Sequence, residues 1–295
     1  MTGPPVLSQI IAIVFPIFAI VGVGFGYARR HAPDMGVVNR INLDVFVPAL
    51  IFSVLSDRDV QLAAYTELAL AGAGVVIGSG LLALPVARLL AYRPRTFVPP
   101  MMFSNSGNMG LPLALLAFGE AGLPGAVVLF VVENVLHFTL GTWLLAGRPH
   151  PLRLVRMPML AATLLGVLFN LVGLSLPEPV AEAVSMLGQV AIPLMLFALG
   201  VRMTGVDLGH WRIGLAGTLF YPVAGVLCAL VAAALLDIEE LQGAQLLVFS
   251  VLPPAVLNYM LAEQYDQEPG KVASIVLLGN LSSLAVIPAM LALVL

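Results

Sequence analysis

Apolar stretches long enough to cross a hydrocarbon core follow one another from residue 8 to residue 294, separated only by short polar breaks. A helix needs about 20 apolar residues to span a bilayer. Ten stretches meet or approach that length: 8–28, 37–56, 64–91, 97–118, 122–146, 153–174, 181–203, 211–235, 243–263 and 270–294. No gap between them is long enough for a soluble domain. The pattern predicts an all-α membrane protein of ten transmembrane helices.

The basic residues orient these spans. Arg29, Arg30 and Arg40 fall at the first loop, Arg88, Arg93 and Arg95 at the third, and Arg148, Arg153 and Arg156 at the fifth. Arg202 and Arg212 flank the seventh loop and Lys271 lies at the ninth; of the 13 Lys and Arg residues, only Arg58 lies at an even-numbered loop. Cytoplasmic loops collect Lys and Arg, so odd loops are expected inside and both termini outside. The expected location is the inner membrane of a bacterium, and the excess of Arg over the single Lys is in keeping with a GC-rich one.

Composition agrees. Sixty per cent of residues are hydrophobic and 10% charged, against about a quarter charged in soluble domains, so lipid must solvate most of the exterior. A net charge of −3 without a basic run argues against nucleic acid as a partner. The lone Cys228 excludes an intrachain disulfide and a cysteine metal cluster, and it reads as a small packed hydrophobe. No metal or cofactor is expected. Met1-Thr2-Gly3-Pro4-Pro5 lacks a basic n-region, and the first apolar stretch is too long for the core of a cleavable signal.

The chain echoes itself. Val47-Pro48-Ala49-Leu50-Ile51-Phe52 resembles Ile192-Pro193-Leu194-Met195-Leu196-Phe197 at an offset of 145; Phe103-Ser104 matches Phe249-Ser250, and Asn134 matches Asn280, at 146. Matched Pro and Asn at one offset carry more weight than matched Leu or Val. Each half, 1–146 and 153–295, holds five spans. An odd number makes the second half enter the membrane in the opposite sense, the inverted repeat common among secondary transporters.

Two spans are not expected to be continuous helices. Span four carries Phe103-Ser104-Asn105-Ser106-Gly107-Asn108-Met109-Gly110-Leu111-Pro112, where two glycines weaken the helix and Pro112 lacks an N–H and clashes with the carbonyl of Asn108. Span nine carries Leu252-Pro253-Pro254-Ala255-Val256-Leu257-Asn258-Tyr259 at the corresponding depth. The breaks are expected at 107–112 and 253–258. Free backbone groups at membrane depth must be buried in protein or line a wet cavity. The polar Ser104, Asn105, Ser106, Asn108 and Asn258 beside them predict a binding site; Met109, Pro112, Pro253 and Pro254 at the breaks and the repeat-matched Asn134 and Asn280 are further candidate residues. Half-helix N-termini favour an anion, a carboxylate above all.

Three ionisable side chains lie within spans. Asp44 follows Arg40 by four residues near the start of span two, where it either pairs with that arginine or joins the site. Glu133 and His137, central in span five, share a helix face. They either satisfy each other or serve as a proton or cation carrier. All three are candidate ion-coupling residues. Glu263 and Asp266 fall at the cytoplasmic end of span nine and read as solvated.

On Asn105-Ser106-Gly107-Asn108-Met109-Gly110-Leu111-Pro112, the stretch from Asn39-Arg40 to Phe52 with its Pro48, the stretch from Ile192-Pro193 to Gly200, and Pro253-Pro254, the chain resembles the auxin efflux carrier family of bacterial and plant transporters. The resemblance covers essentially the whole chain. It implies ten helices in a five-plus-five inverted repeat, with spans four and nine broken and crossed. Spans one, two, six and seven would form a scaffold, and spans three to five and eight to ten a transport domain. It also implies an organic anion substrate, with Asn108, Pro112, Pro254 and Asn258 lining the site. Plant members carry a long hydrophilic segment between the halves, whereas only residues 147–152 separate spans five and six here. Bacterial relatives look like malate or malonate permeases, which makes a small dicarboxylate the preferred substrate. Such scaffolds often dimerise.

The functional expectation is a secondary carrier for a small organic anion, working by alternating access, with proton coupling preferred. A sodium-coupled carrier, an anion channel and a non-transporting sensor are the alternatives. An enzyme is not expected, since His31, His137, His150 and His210 scatter and no paired-carboxylate signature occurs on neighbouring spans.

Overall fold

A computed structural model describes residues 6–147, 157–205 and 209–295. The N-terminal residues 1–5, the fifth-loop residues Arg148, His150, Arg153 and Arg156, and the predicted start of span six lie outside these.

Every regular element among the described residues is helical. Seven helices are long and apolar enough to cross a membrane: α1 (Val6–His31), α2 (Met35–Leu55), α3 (Leu62–Leu89), α6 (Glu120–Ala146), α8 (Glu178–Arg202), α9 (Trp211–Leu235) and α12 (Pro269–Val294). The other three predicted spans differ. Two are each interrupted, as α4 (Pro94–Met102) and α5 (Ser106–Phe118), and as α10 (Glu240–Ser250) and α11 (Val256–Gln264). In the third, α7 (Pro158–Leu171) has 14 residues, about 21 Å of helix.

α7 stops where Gly173 takes φ +66. The Leu174 N–H then reaches the Phe169 carbonyl at 2.9 Å and the Gly173 N–H reaches that of Asn170 at 3.2 Å, a Schellman cap that needs a left-handed residue at this position. The Asn170 amide and the Arg58 guanidinium fasten this end to the 57–60 turn and to the Gly173 carbonyl.

The helices pack in two groups. α1 lies against α8, and α2 against both α7 and α8. α9 packs on α3, α10 and α12, and α3 on α4 and α6. Lipid tails are as apolar as leucine, so membrane helices associate by close packing and small residues mark their contacts. At the α1–α8 contact a Cβ added to Gly200 would lie 1.9 Å from the Val21 carbonyl oxygen. Large apolar side chains such as Leu81, Leu89, Leu235 and Leu293 point outward, as a lipid-facing surface requires.

Gly200→Leu is therefore expected to destabilise the protein by roughly 3 kcal/mol or more, read as a lost thermal transition or monodisperse peak in detergent. Gly22→Leu, on α1 with nothing within 4 Å of its added Cβ, is expected to be tolerated. Equal outcomes for the two would show that the α1–α8 contact does not depend on Gly200.

One polar tie joins the two interrupted runs at a loop. Glu268, at the head of α12, accepts from Thr96 Oγ1 at 2.6 Å and from Lys271 Nζ, with Arg93 Nε 3.9 Å away. Burial alone would raise its carboxyl, but these donors and charges hold it below its ordinary value.

Candidate functional site

The site is built where the two interruptions meet. α4 ends with the Phe103 N–H on the Pro99 carbonyl, and the chain runs extended from Phe103 into Ser104 before turning at Asn105. Opposite it, Val251 to Ala255 leave α10 and enter α11. Ser104 and Pro254 pair as an isolated antiparallel bridge. The Asn105 N–H donates to the Pro253 carbonyl at 2.7 Å and the Ala255 N–H to the Phe103 carbonyl at 3.0 Å. Two segments whose backbone groups would be orphaned in hydrocarbon thus satisfy each other.

Asparagines complete this junction. Asn258 Nδ2 donates to the carbonyls of Phe103 (2.8 Å) and Ala255 (3.0 Å). Asn280 Nδ2 donates to the Pro254 carbonyl at 3.1 Å and, within α12, to the Val276 carbonyl at 2.8 Å. Asn280 Oδ1 accepts from Asn105 Nδ2 at 3.4 Å. Asn134 makes the matching bond within α6, to Phe130 four residues back, at 2.8 Å.

The fourth-span interruption thus falls at 103–105, not at the expected 107–112. Residues 106–110 wind as a π-helical turn, with the N–H groups of Met109 and Gly110 both on the Asn105 carbonyl. Pro112 sits in the first turn of the α-helix that follows, where a proline is least disruptive. Backbone pairing across the junction, not the proline, ends the first half-helix. In the ninth span the interruption covers 251–255, with Pro253 and Pro254 inside it and Asn258 already within α11.

Glu133 and His137 do not pair. Glu133, 2% exposed, accepts from Ser104 Oγ at 3.0 Å. His137, 3% exposed, stacks flat on Phe103, with ring centroids 4.0 Å apart and planes 6° from parallel. Its Nε2 and Asn258 Oδ1 are both buried, and Asn258 is the histidine's polar neighbour. The reading of Glu133 and His137 as a self-satisfied pair is thereby overturned. Asp44 forms no ion pair with Arg40; among the described residues the ion pairs are those of Glu268.

A cavity of about 570 Å³ opens onto this junction. Of the residues singled out in the sequence, Asp44, Ser104, Asn105, Ser106, Asn108, Glu133, Asn134 and His137 line it. Pro253, Pro254 and Asn258 stand outside its lining, while Met109 and Pro112 are packed away. Asn280 lines a second cavity, of about 550 Å³. Every π-helical turn among the described residues, at 42–46, 106–110 and 137–141, contributes to the 570 Å³ wall. Such turns recur at functional sites.

Sequence reasoning missed Asn42, Arg40 and Arg202, which line the same cavity. Asn42 is 5% exposed and its Oδ1 has no partner. Its signal was an amide inside the second apolar stretch, three residues beyond Asn39.

The sequence matches the family described as "Membrane transport protein" over residues 9–154 and again over 148–291. The chain belongs to that family. It is the auxin efflux carrier-like group to which the octapeptide at 105–112 pointed. This transporter is 27% identical to a "Putative malonate transporter" of Rhizobium meliloti (strain 1021), across 98% of this chain and 97% of that one. It is 30% identical to an "Uncharacterized transporter" of Methanothermobacter thermautotrophicus, across 86% and 87%. The chain is thus a multi-pass membrane protein of a transporter family.

Proposed function

We propose that this transporter is a secondary carrier that moves a small organic anion, a carboxylate or dicarboxylate, across the cytoplasmic membrane by alternating access, with a proton carried on Glu133. One observation carries the reading. Glu133 is a buried carboxyl with no cationic partner, hydrogen-bonded to Ser104 of the junction on which the cavity ends. An anion entering that cavity would meet a like charge unless the carboxyl held a proton, so anion and proton are best bound together.

The shape of the cavity supports alternation rather than a channel. Ser106 also borders a void of about 20 Å³ beside Gln245, and Ser104 another beside Tyr221, so open space beyond the junction is minimal. Of the cavity wall, the exposed Gly36 and Arg40 lie near the first loop and Arg202 near the seventh, the arginine-rich side that charge distribution makes cytoplasmic. In this proposal α1, α2, α7 and α8 form the static frame, and the group containing α3–α6 and α9–α12 carries the site as spans four and nine cross.

Proton coupling is favoured over sodium because no acidic residue adjoins Pro253 and Pro254 in sequence and several of the carbonyls there already have partners. Those of Pro253 and Pro254 accept from Asn105 and Asn280. That of Phe249 accepts from Leu252, and that of Ser250 is pressed against Gly225. The deciding test is uptake of labelled malonate, malate and indole-3-acetate into proteoliposomes under imposed proton, sodium and voltage gradients. Malonate or malate is expected to accumulate under a proton gradient; movement of none of the three under any gradient would sink the carboxylate reading.

A further inference from the structure

Two guanidinium groups line the 570 Å³ cavity, and they differ in setting. Arg40, on α2, is exposed, where solvent and salt screen its charge. Arg202, in the last turn of α8, is half-buried and lines both large cavities, the 570 Å³ one and its 550 Å³ neighbour. It stands between the frame helix α8 and the half-helix α11, with Nη1 3.7 Å from Met260 Sδ. A thioether is a weak acceptor, and no carboxylate among the described residues pairs with this arginine.

A cation partly withdrawn from water, in no ion pair among the described residues, can take a carboxylate from either cavity, although Asp44 and Glu133 share one wall with it and Glu263 the other. Arginine suits the task, since its planar fork binds a carboxylate through two parallel hydrogen bonds. The same wall offers amide donors at the junction, from Asn108 and the second amide hydrogen of Asn105, while the Ser104 hydroxyl is engaged by Glu133. The cavity wall therefore carries amide donors at the junction, beside Glu133, and the guanidinium of Arg202 elsewhere, with Asp44 on the same wall.

We propose that Arg202 selects a doubly charged substrate, a small dicarboxylate, by taking the carboxylate that the junction does not hold. This rests on the carboxylate reading of the same cavity and adds to it the charge of the substrate and the residue that reads it. A bland alternative exists for an arginine at a helix end: it anchors to lipid phosphate. The two roles separate experimentally, because a lipid anchor has no reason to distinguish solutes by their charge.

The test compares malonate with monomethyl malonate, which keeps the three-carbon diacid skeleton and loses one charge. Binding is measured by titration of the detergent-solubilised full chain, free of added anionic lipid. The parent protein is expected to prefer malonate by roughly ten- to a hundredfold, the range of a charge-assisted hydrogen-bond pair. Arg202→Gln is expected to erase that preference by weakening malonate alone, with monomethyl malonate bound within about twofold of the parent. Arg202→Lys, which keeps the charge without the fork, is expected to retain a reduced preference. It also keeps the test decisive should the glutamine variant fold poorly. A parent protein that binds both solutes equally, or an Arg202→Gln variant that keeps its preference or loses both alike, would overturn the assignment of Arg202. A parent protein that binds neither solute and transports no carboxylate would instead overturn the reading beneath it.

Discussion

Replacing Glu133 with glutamine is expected to abolish the pH dependence of transport and to end accumulation driven by a proton gradient. Glutamine keeps the size of the side chain and a carbonyl oxygen that can still accept from Ser104 Oγ, but it cannot take up or release a proton. One proton moved per substrate across a gradient of one pH unit is worth about 1.4 kcal/mol, close to a tenfold concentration ratio at equilibrium. The parent protein should approach that ratio, and the variant should stay near unity. Counterflow of labelled against unlabelled substrate, which needs no net proton movement, should remain measurable and shows that the variant is assembled. Unchanged pH dependence in the variant would remove Glu133 as the coupling residue and point to His137 or Asp44, the other titratable groups with Glu133 on the spans lining the cavity.

The second large effect is structural. Asn280→Leu removes the amide that donates to the Pro254 carbonyl and accepts from Asn105, so both interrupted runs lose a tie at once. A hydrogen bond between membrane helices averages about 0.6 kcal/mol. Here the carbonyl of Pro254 is left buried and unpaired, and the expected loss rises to roughly 1–3 kcal/mol. Thermal unfolding in detergent measures it, and substrate binding should fall in parallel as the junction loosens. Asn134→Leu is the control, because its amide bonds only to Phe130 in its own helix and should cost far less. If the two variants lose the same stability, Asn280 does not hold the junction together.

Much of this arrangement is written locally. Length and apolarity mark the helices, and seven satisfy both criteria in the structure. Prolines at 253 and 254 announce an interruption that occurs around them. The same reasoning misplaced the fourth-span interruption because it weighed Gly107 and Pro112 as breakers. A π-helical turn absorbs the glycines and an early helical position absorbs the proline, while Phe103 to Asn105, with no breaker of their own, lie outside any helix. Asp44 and Arg40, four residues apart, invited an ion pair that a π-helical turn starting between them does not make. Asn42 is not singled out by the sequence, and Arg202 counts there only as a loop charge, because nothing local to either shows the cavity it faces.

By itself the sequence determined that this protein lives in a membrane, roughly where its seven long apolar helices run, and which polar side chains lie too deep to be ornamental. Those are short-range matters of hydropathy, charge and backbone chemistry. Only the tertiary structure decided that Ser104 would pair with Pro254, that Glu133 would turn to Ser104 instead of His137, and that Arg202 would face the same cavity as both. The physical reason is that a backbone N–H or carbonyl at membrane depth must find a partner, and here the partners lie about 150 residues away along the chain. Only the folded chain brings such groups within reach of one another.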